Sequence, residues 1–237
     1  MNFLIIGGTG VMGTSAIKAI REHFDQKSVI IANWFGKETD EFQIEGADHT
    51  IFGDINNPSC RNEIKSFNNS KFDYMFYATA LGDVGIPIKD ATQEQIDRSN
   101  KLSFDPILQL ENELDIGTIV AYSTFYTIRH QLSTYGAMGH SKENIEKWTV
   151  AKDGASNHAC IRAGLFESAS SRGIKLLLRK TSKKINNLKD PLLRSYFENT
   201  PSSIGIKKFE EGIFAEEKEV YGDCRTNKED LLKAHLN

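Results

Sequence analysis

Near its start the chain reads Gly7-Gly8-Thr9-Gly10-Val11-Met12-Gly13, with glycines at a G-x-x-G-x-x-G spacing. That spacing suits a phosphate. A backbone that approaches a pyrophosphate closely, then turns at once into a helix packed on the preceding strand, has no room for side chains there. The first turn of such a helix offers unpaired N–H groups and the positive end of its dipole to the anion. The context agrees: Phe3–Ile6 is a short apolar run ending at the glycines, and Val11–His23 carries apolar residues at helical spacing. Gly7, Thr9, Gly10, Val11, Met12 and Gly13 are therefore expected to hold a dinucleotide cofactor. The plain alternative is a tight structural turn.

Other residues bear on that cofactor. The second strand ends at Asn33-Trp34, where a site selective for NAD usually places a carboxylate on the adenine ribose. An amide there, with Lys37 close by, tolerates a 2′-phosphate better, so the sequence leans to NADP over NAD. The plain alternative is that Lys37 is a solvated loop lysine. Asp54 and Ile55 follow the third strand, where a carboxylate could accept from the adenine amino group or could simply form a turn. Ala78, Thr79 and Ala80, followed by Leu81 and Gly82, are small enough after the fourth strand to pass beneath the riboses.

A second group of residues could do acid–base work. A fifth strand runs into Tyr122-Ser123-Thr124-Phe125-Tyr126, and a helix follows from Tyr135-Gly136-Ala137-Met138-Gly139-His140-Ser141-Lys142. Positions seven apart share a helix face, so Tyr135 and Lys142 can point into one cleft. At this point the chain resembles the short-chain dehydrogenase/reductase superfamily, whose members carry a Ser, a Tyr about a dozen residues on, and a Lys. Their usual Y-x-x-x-K spacing would put the lysine at Gly139. Here it is Lys142, and Y-x6-K is similar to the enoyl-acyl-carrier-protein reductase branch. Ala163-Gly164-Leu165-Phe166-Glu167-Ser168, running on to Ile174, resembles a second segment of that branch, with Leu165 for its proline and Ser168 for its threonine. The resemblance runs over most of Tyr74 to Ile174 and is weaker at both ends.

It implies an NAD(P)H-dependent oxidoreductase that reduces an enoyl thioester. Tyr135 would donate to the thioester oxygen as it becomes an enolate, and Lys142 would hold the nicotinamide ribose and stabilise developing charge. Phe125 or Tyr126 would stack beside the substrate. Ser123 would bind the carbonyl in the alternative reading, a ketoreductase. Asn100 would bridge to the lysine through water, or be an exposed helix asparagine. Gly164, Leu165 and Phe166 would meet the nicotinamide carboxamide, and Ser168 a phosphate. His130 and His140 flank the motif and read as solvated. The resemblance also implies a homodimer or homotetramer through Gln93–Leu114 and Tyr135–Val150. A third reading is a dinucleotide-binding regulator that does no chemistry.

The elements that must position these groups alternate. Ser28–Asn33, Thr50–Phe52, Tyr74–Ala78, Thr118–Ser123 and His158–Arg162 read as short strands, with Glu219–Gly222 as a seventh. Gln93–Leu114 reads as a helix that Pro106 kinks or splits. The pattern predicts an α/β fold: a single domain with a Rossmann-type, doubly wound parallel sheet. Residues 173–197 interrupt the alternation as a basic helical segment over the substrate. Arg172, Lys175, Arg179, Lys180, Lys183, Lys184 and Lys189 there could attract an acyl carrier protein or a coenzyme A tail, or could be a solubilising face.

Composition narrows the rest. A chain of 237 residues with net charge −3 suits one globular domain and is a poor match for nucleic acid, which needs a basic face. Cys60, Cys160 and Cys224 are widely spaced, which reads as free thiols in a reducing compartment. The six histidines are scattered, so no metal site is expected. The start lacks a basic leader and no apolar run is of membrane-spanning length, so a cytoplasmic protein is expected.

Overall fold

The computed structural model describes residues 1–24, 27–37, 42–151, 154–183, 189–222 and 234–235. Lys184 and Cys224, considered above, lie outside them. Six strands form one parallel sheet: β1 (Asn2–Ile6), β2 (Val29–Trp34), β3 (His49–Phe52), β4 (Lys71–Tyr77), β5 (Asp115–Thr124) and β6 (Asn157–Ala163). Their order is β3-β2-β1-β4-β5-β6. This is the doubly wound Rossmann arrangement, in which the winding reverses between β1 and β4.

The apolar run of β1 shows why it lies at the centre. Leu4 and Ile6 pack on one face of the sheet with Ile31 and Ile51, and Phe3 and Ile5 pack on the other with Ile30 and Ala32. A strand covered on both faces carries no polar alternation. The first face is closed by α2 (Pro58–Ser66), α4 (Asp105–Glu113) and α6 (Gly136–Ala151), through Ile64, Leu110, Ile145 and Trp148. The second is closed by α1 (Val11–His23), through Ala16, Ile17 and Ile20. Each such side chain contributes roughly 1.5–3 kcal/mol on burial.

Gln93–Leu114 is two helices. α3 (Gln93–Ser103) begins at a capping box between Thr92 and Gln95. It stops at Phe104, and α4 starts with Pro106 in its first turn, where a missing N–H costs nothing. The helix expected from Tyr135 starts one residue later, at Gly136, and Tyr135 instead forms a parallel bridge with Ile86.

Beyond the ends of β5 and β6 lies a helical lobe. It comprises the short α5 (Arg129–Leu132), α7 (Ala169–Ser182), α8 (Pro191–Phe197) and α9 (Ser202–Tyr221). Ile128, Leu178, Leu193, Phe197, Ile206, Phe209 and Ile213 form its apolar centre. The expected seventh strand at Glu219–Gly222 is instead the last turn of α9 and the glycine that follows it. Ile206, Phe209 and Ile213 recur at helical spacing, and their burial carries the helix through the β-favouring Val220-Tyr221, which stay exposed.

Candidate active site

A cavity of about 750 Å³ opens at the C-terminal ends of β1, β4, β5 and β6. It sits at the reversal of strand order, where open parallel sheets take their ligands. Its floor is the glycine turn. Gly7 has φ +84°, and a Cβ there would lie 3.1 Å from the Ala78 backbone. A Cβ on Gly13 would stand 2.3 Å from the Gly7 carbonyl oxygen, so α1 can pack this close to the turn only without one. Gly13 thus supports the turn from behind and does not line the cavity, whereas Gly7, Thr9, Gly10, Val11 and Met12 do. Gly10 caps α1 with no side-chain bond, and the first turn holds no acidic residue. The N–H groups there suit a pyrophosphate, and the residues present fit a dinucleotide.

The cavity continues past Ala78, Thr79 and Ala80 after β4, and past Gly164, Leu165, Phe166 and Ser168 after β6. On the β2 side Trp34 and Phe35 form the wall. Trp34 packs on Phe42, with ring centroids 4.1 Å apart, and lies over Gly36.

Four residues expected around the adenosine are not on the wall. Asn33 is fully buried on the opposite face of β2 from Trp34, and its Nδ2 donates to the Gly53 carbonyl at 3.1 Å and the Ile51 carbonyl at 3.3 Å. Successive residues of a strand point to opposite faces, so placing Trp34 in the cavity turns Asn33 into the core. Lys37 is exposed and is not among the residues that line the cavity. Asn33, turned into the core, therefore lends nothing to the choice between NADP and NAD, while Lys37 follows two residues after the wall residue Phe35. The Asp54 carboxylate accepts from Asn56 N and Nδ2 within its own turn, and Ile55 is a core residue.

On the far wall the cavity meets Ser123, Tyr135 and Lys142. Lys142 is 7% exposed, and its Nζ donates to the Tyr122 carbonyl at 2.8 Å. Burial pulls its pKa down to about 8. Burial also pushes the Tyr135 hydroxyl up to about 12, and that hydroxyl has no hydrogen-bond partner among the described residues. The phenol therefore keeps its proton at neutral pH and has it free to donate. Ser123 is already committed: its hydroxyl donates to Glu146 Oε1 at 2.7 Å, and Arg162 holds that carboxylate from the other side at 2.8 and 2.5 Å. With its hydroxyl hydrogen directed at Glu146, the Ser123 oxygen offers lone pairs to the cavity.

Three further expectations are redirected. Asn100 lies off the wall; its Oδ1 accepts from Ser141 at 2.8 Å and Asn144 at 3.3 Å, which ties α3 to α6 beside Lys142. Phe125 stacks on Tyr221 in the lobe, 4.3 Å between centroids, and neither it nor Tyr126 reaches the cavity. His130 is buried rather than solvated: its Nδ1 lies 2.5 Å from Glu216 and its Nε2 2.9 Å from the Tyr196 hydroxyl. His140 is partly buried, with Nε2 3.1 Å from the Ile88 carbonyl.

The sequence reading missed several wall residues. Thr124 donates to the Ala163 carbonyl at 2.8 Å, and Met138 sits one turn before Lys142, against Gly82. Gln131 and Thr134 come from the turn between β5 and α6. On the lobe side, Lys175 bridges Glu167 at 2.7 Å and Glu210 at 2.8 Å, next to Arg172. Only the lobe's docking onto the sheet brings these together, so no local motif marks them. The lobe's own packing is partly polar. Glu216 accepts from the backbone N–H and side chain of both Arg129 and His130. Burial alone would raise its pKa, but these bonds override it and hold it at about 2. Glu217, beside it, is 1% exposed, and burial raises it to about 7 although Leu165 N donates to it at 3.2 Å. Among the described residues no cluster of three or more metal-ligating side chains occurs, and no helix is long and apolar enough to cross a membrane.

Comparison with known proteins agrees with this architecture. The fold is that of short-chain dehydrogenases/reductases. One neighbour is a short-chain dehydrogenase family protein of Francisella tularensis subsp. tularensis SCHU S4, 16% identical, with TM-score 0.62 over 98% of this chain and 88% of that one. An NAD+-bound xylitol dehydrogenase is 14% identical, with TM-score 0.60 over 88% and 82%. A 3-ketoacyl-(acyl-carrier-protein) reductase of Brucella melitensis, complexed with NADH, is 13% identical, with TM-score 0.51 over 63% and 67%. The enoyl-reductase branch has no specific support among these neighbours. No curated protein matches the chain. The family model described as polysaccharide biosynthesis protein matches residues 3–172, most of the sequence, and the chain belongs to that family.

Proposed function

We propose that the chain is an NAD(P)-dependent oxidoreductase that interconverts an alcohol and a ketone on a hydroxyl-rich small molecule. The observation that carries this reading is one cavity with an uncapped helix N-terminus at one end and Tyr135 and Lys142 at the other. The family match favours a sugar-derived substrate. The xylitol dehydrogenase and the ketoacyl reductase have the same fold, and they make alcohol–ketone chemistry the natural reading. A bound nicotinamide would give or take the hydride. Tyr135, its proton retained, donates to the substrate oxygen as negative charge develops there. Lys142, with its pKa at about 8, is largely a cation at neutral pH and holds that charge and the ribose hydroxyls. Ser123, polarised by Glu146, accepts from a hydroxyl rather than donating to a carbonyl.

Enoyl thioester reduction is the second reading, supported by the Tyr135–Lys142 spacing. Docking of an acyl carrier protein on basic α7 belongs to it. Phe125 stacked on Tyr221 weighs against it, because the second aromatic it needs is turned away. Either way, we take self-association through α3, α4 and α6 as part of the proposal, and sedimentation tests it.

The test is oxidation of NADH and NADPH with hydroxyacetone and with crotonyl thioesters, in the wild type and Tyr135→Phe. We expect turnover of the ketone, lowered about a hundredfold in the variant. Turnover of crotonyl thioester alone would install the enoyl reading. Dinucleotide binding with no turnover of either would leave a non-catalytic binder.

A further inference from the structure

We propose that Gln131 binds a neutral hydroxyl or carbonyl adjacent to the reacting carbon, and so decides which substrates the site accepts. The proposal rests on the alcohol–ketone reading above and names the residue that would select within it.

Gln131 is 4% exposed and lies on the cavity wall. Its backbone carbonyl is used, accepting from Thr134 N at 3.0 Å and Tyr135 N at 2.8 Å. Its carboxamide has no hydrogen-bond partner among the described residues. Nor is the carboxamide sealed in the core, since Asn33 Oδ1 is the atom that meets that description among the described residues. A side chain this buried, on the wall and not sealed, keeps its remaining surface toward the cavity. Buried carboxamides are ordinarily paired, because one acceptor and two donors left unmade are costly. The nearby polar groups of the wall follow that rule: Ser123 donates to Glu146, Thr124 to Ala163 and Thr134 to the His130 carbonyl. Gln131 shares its unpaired state with Tyr135, one helical turn along the chain.

The position is held, not loose. Arg129 and His130, immediately before Gln131, are clamped to the buried Glu216 by bonds that cross 86 and 87 residues of sequence. A fixed, buried, unpaired carboxamide beside the proton donor is complementary to a neutral group that both donates and accepts. A substrate lacking that group would bury the amide without a partner, and sites built this way reject such analogues strongly.

Hydroxyacetone and acetone, which differ by one hydroxyl, are the probes. Their reduction is compared in the wild type and Gln131→Leu, using the full chain with NADH or NADPH. In parallel, nitrogen–proton correlation spectra follow the Gln131 side-chain amide pair, assigned by its loss in Gln131→Leu, as hydroxyacetone is added to the wild type. We expect a kcat/KM preference of about tenfold or more for hydroxyacetone over acetone in the wild type, lost in Gln131→Leu, with dinucleotide binding retained. The amide pair shifts with hydroxyacetone. A preference unchanged in Gln131→Leu, or an amide pair that hydroxyacetone leaves in place, overturns the proposal. If the pair shifts but neither ketone is reduced, the Gln131 assignment stands and the redox reading fails.

Discussion

The sheet and the helical lobe are held together by different means. At β1 and α1 the contacts are apolar and close: backbone approaches backbone at Gly7 and Gly13, and the side chains of β1 pack among apolar neighbours on both faces. The lobe has an apolar centre too, but it also buries Glu216 against His130, and Glu217 against the Leu165 N–H that leads in from β6. The first construction is intolerant of volume and indifferent to pH. The second is sensitive to protonation. Where the two meet is the cavity, so the cofactor end of the site depends on packing and the substrate end on a hydrogen-bonded clamp.

Substitutions in each region sharpen the contrast. The largest effect is expected for Gly13→Ala, whose new methyl meets the Gly7 carbonyl at 2.3 Å with no flexible side chain to give way. Thermal unfolding should show a loss of about 2–3 kcal/mol, and dinucleotide titration weaker binding. A variant that kept both would mean that the close packing of the turn is not what fixes it.

Next in size is Glu217→Gln. Burial raises the native pKa of Glu217 from 4.5 to about 7. The contribution of its uncharged form is therefore complete below 4.5 and is lost as pH rises through about 7. Glutamine stays neutral throughout. The variant should match the wild type near pH 4.5 and exceed it by about 2 kcal/mol near pH 8. The same offset at both pH values would dispose of the protonation argument. The smallest effect belongs to Gly173→Ala in α7, where a Cβ meets nothing within 4 Å. Melting should show a gain of about 0.5–1 kcal/mol from helix propensity, and a loss there would show that the lobe is packed as tightly as the glycine turn.

Much of the architecture was legible along the chain. The apolar run Phe3–Ile6 before the glycines located β1, the turn and α1 within a residue or two. The Pro106 break appeared as two helices. Tyr135 and Lys142 lie on one wall although Tyr135 stands before the helix rather than in it. What failed has specific causes. Asn33 and Trp34 are neighbours, and which of them enters the cavity is a matter of strand face, which the pattern of a doubly buried strand does not reveal. Asp54 took the second of its two readings and formed its own turn. Glu219–Gly222 has a β-like composition that the burial of Ile206, Phe209 and Ile213 overrules.

The sequence by itself determined the parallel sheet, the glycine turn and the spacing of the tyrosine and lysine, because each depends on residues within a few positions of one another. Only the tertiary structure decided that Trp34 and not Asn33 bounds the cavity, that the Ser123 hydroxyl donates its hydrogen bond to Glu146, and that Gln131 stands unpaired beside Tyr135. Those outcomes depend on elements distant in sequence packing face to face, and the partner that satisfies, or leaves unsatisfied, a buried polar group is supplied by that packing.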